Sequence, residues 1–208
     1  MIFRETEFKL KDGRDALLRS PCEEDAEQML QFIIKASGET DFLMKYPEEF
    51  ADFTLEQEKS FINEAYNDPD RIMIACLVEG KFAGNCMISF RTGLKDHHRA
   101  SVAIALLQEY WGFGIGTKMF VEMIQIARER DGVRQIELDF IEGNSRARSL
   151  YEKMGFRITG VKPDAIILVT LNSCRGQLFS VTAYTAAKKY KRQLNSFASI
   201  SAFSGDSL

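Results

Sequence analysis

The sequence predicts a mixed α/β fold of three layers, one sheet with helices packed on both of its faces. Two observations carry this expectation. Apolar or alternating runs of strand length recur as far as residue 161, and amphipathic stretches with legible helix caps lie between them. Their order is the second observation. A hairpin and two helices precede three strands, and helix, strand, helix and strand follow, so an antiparallel meander leads into crossover helices.

Residues 8–13 alternate and run into an Asp-Gly turn, with residues 16–19 as the partner strand. Ser20-Pro-Cys-Glu23 has the form of a capping box with proline at the first helical position. The helix it opens carries Ala26, Met29, Leu30 and Ile33 on one face. Residues 37–53 are irregular. A second capping box, Thr54-Leu-Glu-Gln57, opens a helix with Ile62 and Ala65 on its apolar face, and Asp68-Pro-Asp70 ends it. Residues 71–79 and 82–90 are strands joined at Glu79-Gly80-Lys81, and residues 101–107 form a short apolar strand. Met119, Phe120, Met123, Ile124 and Ala127 make the stripe of a helix that ends near Gly132. Residues 135–141 alternate as a strand; Asn144 and Gly155 then bracket a helix as N-cap and C′ residue, and residues 157–161 form another strand.

At 208 residues, 45% hydrophobic and 27% charged, the chain has the composition of a soluble globular protein and the length for a real core. A net charge of −3 argues against non-specific nucleic-acid binding. No apolar run reaches roughly eighteen residues, and the N-terminus lacks a basic-then-apolar pattern, so neither a membrane partner nor secretion is expected. Cys22, Cys76, Cys86 and Cys174 form no C-x-x-C pair and fit reduced thiols in a cytoplasmic enzyme. His97 and His98 end a polar loop without Cys or acidic ligands at metal spacing, so no metal is expected. Residues 166–208 differ from the rest. They carry Arg175, Lys188, Lys189, Lys191 and Arg192 against one acid, Asp206, which leaves −7 on the first 165 residues. This basic, Ser-rich stretch is set apart as an atypical C-terminal extension. Within it residues 166–171 could supply a closing strand and residues 183–194 a short basic helix.

The chemistry concentrates at Gln108-Glu-Tyr-Trp-Gly-Phe-Gly-Ile-Gly-Thr117, between an apolar strand and a helix. Gly112, Gly114 and Gly116 alternate where the backbone enters that helix. Glycine permits positive φ and leaves no Cβ in the way of a ligand, while the first helical turn offers unpaired N–H groups to an anion. Three alternating glycines exceed the needs of one turn, which favours a phosphate site over a bare turn. It is not a dinucleotide fingerprint, which would put glycine at Thr117, nor a P-loop, since Thr117 precedes Lys118.

With Asn144-Ser-Arg-Ala-Arg-Ser-Leu-Tyr-Glu-Lys-Met-Gly-Phe156, the loop resembles the acetyl-CoA site of the GNAT-type N-acetyltransferases. The loop pattern Gln/Arg-x-x-Gly-x-Gly/Ala falls on Trp111, Gly114 and Gly116, with Gly112 as an extra glycine; Trp111 departs from the usual Gln or Arg. The second segment matches Asn-x-x-Ala-x-x-x-Tyr closing in Gly-Phe. The resemblance implies an acyl-CoA N-acyltransferase fold over residues 1–165, acetyl-CoA as co-substrate, and direct attack by an amine. It implies that Ala105, Leu106 and Leu107 end a strand that parts from its neighbour and offers N–H groups. It implies that Gly112, Phe113, Gly114, Ile115, Gly116 and Thr117 cradle the pyrophosphate, that Asn144 lies by the pantetheine arm, and that Tyr151 protonates the thiolate. Taken singly, Asn144 could merely cap and Tyr151 merely pack.

The resemblance implies an amine acceptor, a small molecule or a peptide N-terminus. The acidic Glu39, Asp41, Glu48, Glu49 and Asp52 suit a cationic amine as well as a solvated face. Glu39, Glu49, Asp139 or a water relay could be the base. A non-catalytic acyl-CoA-binding module of the same fold is the competing reading, and a homodimer is compatible with either.

Overall fold

A computed structural model of the chain describes residues 1–168 and 174–184. Among the described residues eight strands form one mixed sheet. In chain order they are β1 (Thr6–Lys9), β2 (Asp15–Arg19), β3 (Arg71–Val78), β4 (Lys81–Phe90), β5 (Arg99–Leu106), β6 (Gln135–Ile141), β7 (Arg157–Leu168) and β8 (Cys174–Tyr184). Across the sheet the order is β1-β2-β3-β4-β5-β6-β8-β7, antiparallel throughout except for β5 and β6. The helices are α1 (Ala26–Gly38), α2 (Leu55–Asn67), α3 (Ile115–Glu129) and α4 (Ser145–Lys153). Every residue of β3 from Ile72 to Val78 is buried, so both faces of the sheet are covered and the three layers are real.

Local chemistry explains most boundaries. The β3–β4 hairpin turns on Glu79 and Gly80, with φ of 50° and 77°, the paired positive values that suit the twist of a two-residue turn. Thr54 caps α2 as expected: its hydroxyl accepts the Gln57 N–H at 3.2 Å, while Gln57 Oε1 accepts the Thr54 N–H at 2.8 Å. Asn144 caps α4 through Oδ1, which accepts the Ala147 N–H at 3.1 Å. Gly155, at φ 89°, ends α4, and the Phe156 N–H returns to the Tyr151 carbonyl at 2.9 Å. The aromatic rings of Phe120, Phe140, Tyr151, Phe156 and Phe179 meet edge-on, tilted or stacked and fill the core where α3, α4 and the last strands converge.

Three expectations are corrected. The Ser20 box does not form, because Ser20 Oγ instead accepts the Phe3 N–H at 2.9 Å and donates to the Met73 carbonyl at 3.1 Å. The cap moves to Cys22 and Asp25; the nearly buried Asp25 carboxylate accepts the Cys22 N–H and binds both terminal nitrogens of Arg19, at 2.5 and 2.7 Å. The buried face of α1 accordingly runs through Ala26, Met29, Phe32 and Ala36, leaving Leu30 and Ile33 at its flanks. The strand expected over residues 157–161 continues to Leu168, taking in the first residues of the stretch expected at 166–171. Asp164, at φ 50°, sits in the gap of its register. In place of a helix beginning at Ala183, residues 174–184 form β8, inserted between β6 and β7 and antiparallel to both. The remainder of that expected helix lies outside the described residues. Among the described residues no helix is long and apolar enough to cross a membrane.

Candidate active site

The site begins with a failure of strand pairing. β5 and β6 are in register only at Arg99↔Gln135, Ala100↔Ile136 and Ser101↔Glu137. Beyond Ser101 each strand keeps its outer neighbour: β5 stays on β4 through Leu106↔Gly84, and β6 stays on β8 through Ile141↔Leu178. The sheet therefore opens into a wedge, and β5 turns backbone groups without a strand partner toward a cleft of about 840 Å³. At the closed end, Arg99 donates to Glu137 from Nε at 3.1 Å and from a terminal nitrogen at 2.5 Å, a charged clasp across the two strands. At the open end Gly84 lets β4 lie against β5, since a Cβ there would clash with Leu106 and stand 3.0 Å from the Ala105 carbonyl oxygen.

The glycine loop lies at the mouth of the wedge. Gly112 and Gly114 adopt φ of 88° and 100°, and a Cβ on either would meet no protein atom within 4 Å. Their backbone thus faces open space. Gly114 is the N-cap of α3 and has no side-chain cap, so the N–H groups of the first turn remain for an anion. Gly116 differs. A Cβ there would stand 3.0 Å from Leu150 and 3.2 Å from Leu106, so this glycine serves the packing of α3 on its neighbours.

Of the expected site residues, Ala105, Leu106, Gly112, Gly114, Ile115, Gly116, Thr117, Asn144 and Tyr151 all line the one cleft. Leu107 and Phe113 do not. Leu107 is buried, its N–H bonded to the Ala83 carbonyl at 3.1 Å, and the Phe113 ring lies under the Arg14 guanidinium. Asn144 caps α4 with its carbonyl oxygen, which leaves its amide nitrogen for the cleft. Tyr151 is 7% exposed, and burial pushes its phenol up to about 12.

The three carboxylates named as bases part company. Glu39 accepts the Gln108 N–H at 2.6 Å and Glu49 the Tyr46 N–H at 2.9 Å; both hold loops. Asp139 alone lines the cleft. Burial pushes its carboxyl up, but Lys162 at 2.5 Å and the Ser180 hydroxyl at 2.6 Å outweigh it and hold it below the ordinary value. The far wall, Thr40, Phe42, Leu43 and Met44, comes from the irregular stretch after α1, the loop that the resemblance puts on the acceptor side, but sequence reasoning picked out its acidic residues and not these four. The Phe42 ring lies against Gly143, 3.6 Å from where a Cβ would stand, and bridges this stretch to the turn before α4. Sequence reasoning missed Arg146 as well, whose guanidinium stands 4.7 Å from the centroid of the Trp111 ring. Periodicity marks neither contact, because both join segments distant in sequence. Among the described residues no three His, Cys, Asp or Glu side chains gather as metal ligands.

Comparison with known proteins agrees with this fold. The model of the Acetyltransferase (GNAT) family matches residues 36–156, the stretch from the end of α1 to the Gly-Phe after α4. A protein of Bacillus subtilis (strain 168), whose name proposes a [ribosomal protein bS18]-alanine N-acetyltransferase activity for it, is 28% identical over 137 residues, covering 61% of this chain and 87% of its own. An acetyltransferase of the GNAT family from Streptococcus pneumoniae superposes with a TM-score of 0.74 at 24% identity, over 81% of this chain and 98% of that one. A ribosomal L7/L12 α-N-protein acetyltransferase, RimL, solved with coenzyme A, superposes with a TM-score of 0.67 at 16% identity, over 81% of this chain and 93% of that one. At those identities the two structures speak for the fold.

Proposed function

The chain belongs to the acetyltransferase (GNAT) family, and we propose on that footing that it transfers the acetyl group of acetyl-CoA to the α-amine of a protein N-terminus. The observation that carries this reading is the wedge between β5 and β6, open to unpaired strand backbone on one wall and to Tyr151 on the other. The choice of a protein α-amine over a small-molecule amine is supported by the names of the Bacillus relative and of RimL, both of which concern ribosomal-protein N-termini. A cytoplasmic location fits such an acceptor.

In this reading the pyrophosphate lies on the amides from Gly112 to Thr117, and the pantetheine arm runs beside Asn144 along the free edge of β5. The thioester carbonyl accepts from N–H groups near Ala105 and Leu106, which stabilise the oxyanion as it forms. The neutral amine attacks that carbonyl; its nitrogen bonds to the acetyl carbon, the carbon–sulfur bond breaks, and Tyr151 gives its proton to the departing thiolate. The amine's own proton leaves through water. Asp139, held ionised by Lys162, is a weak base and serves better to attract the ammonium form of the acceptor. Holding both substrates in one cleft supplies several kcal/mol by replacing a bimolecular encounter with an oriented one.

The test is intact-mass analysis of an alanyl-starting peptide after incubation with acetyl-CoA. Acetylation of the free peptide and none of a copy blocked at its α-amine supports the reading. Acetylation of a polyamine or of lysine side chains in preference to the α-amine overturns the acceptor class. Acetyl-CoA binding without transfer to any amine leaves the non-catalytic module as the better account.

A further inference from the structure

The mouth of the cleft carries a pair of side chains that the mechanism above does not use. Trp111 follows the single turn Gln108–Tyr110, and its indole N–H donates to the Leu106 carbonyl at 3.0 Å, which fixes the ring against the end of β5. Arg146 comes from the other side, in the first turn of α4, and lays its guanidinium over that ring at 4.7 Å from the centroid. Both side chains line the cleft. Of the nearby cations, Lys118 pairs with Glu122 at 2.6 Å and Arg148 with Glu152 at 2.8 Å, while Lys11 and Lys153 line the cleft along with Arg146. Among the described residues Arg146 makes no ion pair and is exposed. A guanidinium stacked on an aromatic face uses that face alone, and its in-plane N–H donors stay free for a planar or tetrahedral oxyanion.

We propose that Trp111 and Arg146 form a phosphate clamp across the glycine loop. Arg146 donates to a phosphate of the bound acyl-CoA, and Trp111 is a positioning residue that holds the guanidinium in place before the ligand arrives. The inference rests on the acyl-CoA reading of the cleft. It explains the aromatic residue at the head of the loop: the cation enters from α4 instead of from the loop, and the indole that replaces a polar side chain is the surface on which it rests. Stacking removes side-chain freedom that ligand binding would otherwise have to remove, so the couple gains affinity by preorganisation.

Calorimetric titration of the full chain with CoA and with dephospho-CoA tests this for the wild type, Arg146→Ala, Arg146→Lys, Trp111→Ala, Trp111→Phe and the double variant Trp111→Ala/Arg146→Ala. Thermal melts would verify that each is folded. Arg146→Ala is expected to weaken CoA by roughly 10-fold or more and to flatten the dependence of affinity on salt. Trp111→Ala is expected to weaken it several-fold, Trp111→Phe to retain most of the affinity, and the double variant to bind no worse than Arg146→Ala alone, because the two act as one unit. A loss confined to CoA assigns Arg146 to the 3′-phosphate, and an equal loss with dephospho-CoA assigns it to the pyrophosphate. Unchanged affinity in Arg146→Ala, or losses that add in the double variant, overturns the clamp while the acyl-CoA reading stands. Absence of CoA binding by the wild type overturns that reading and the clamp with it.

Discussion

Tyr151 shows how much one side chain's surroundings decide. Ringed by Phe120, Phe140 and Phe156 at centroid distances of 5.4, 5.6 and 6.2 Å, it is kept neutral by burial and holds its proton at neutral pH. A group that must donate to a thiolate needs that proton. Tyr151→Phe is expected to lower turnover on the order of 100-fold or more while acetyl-CoA affinity stays nearly constant, as steady-state rates and calorimetry would register. Glu58, on α2, is a buried acid away from the cleft. It is 4% exposed, and burial pushes its carboxyl up to about 6. A folded-state value raised above 4.5 means that the fold binds this proton more tightly than the unfolded chain does. The resulting penalty is fully present above pH 6 and fades as pH falls toward 4.5. Glu58→Gln removes the titration. Its stability relative to wild type should therefore be higher near pH 7.5 than near pH 4.5, by at most about 2 kcal/mol, in denaturant melts at the two pH values.

At the scale of elements, the wedge depends on β4 staying close to β5 while β6 is drawn off by β8. Gly84→Val would force the end of β5 away from β4, and overpacking of this kind costs about 1–3 kcal/mol, measurable as a fall in denaturant midpoint. Gly114→Val acts differently. A Cβ there meets no protein atom within 4 Å, so beyond the backbone strain of about 1–2 kcal/mol the loss should fall on CoA binding, and calorimetry would separate the two. What was legible in the sequence follows the same division between local and distant causes. Thr54, Asn144 and Gly155 were readable because a cap is settled within one helical turn. Ser20 misled because Phe3 and Met73, far off in sequence, compete for its hydroxyl, while Arg19 draws the real cap to Asp25. β8 was hidden for the same reason: Gly176, Gln177 and Ser180 interrupt the strand pattern, and partners on both sides supply what propensity does not. Within the site, the glycine loop and Asn144–Tyr151 were readable as motifs. The Phe42–Gly143 and Trp111–Arg146 contacts were not, since each exists only once the chain has folded.

For the whole molecule, the strand order places residues 174–184 inside the sheet, and residues 185–208 lie outside the described residues. We propose that the catalytic unit extends through Tyr184. A chain ending there should keep the wild-type melting temperature and turnover, whereas one ending at residue 172 should lose its cooperative melt, because β6 and β7 would each lose the strand between them. Retained folding in the shorter chain would mean that β8 is an accessory. Catalysis as proposed requires the parted strands β5 and β6 to hold the thioester beside Tyr151. A crystal structure of the full chain with CoA tests it most directly. The expected result is the pyrophosphate on the Gly112–Thr117 amides and the thiol in the wedge within hydrogen-bonding reach of the Tyr151 hydroxyl. A CoA thiol seated away from that hydroxyl, or a CoA bound outside the wedge, would contradict it.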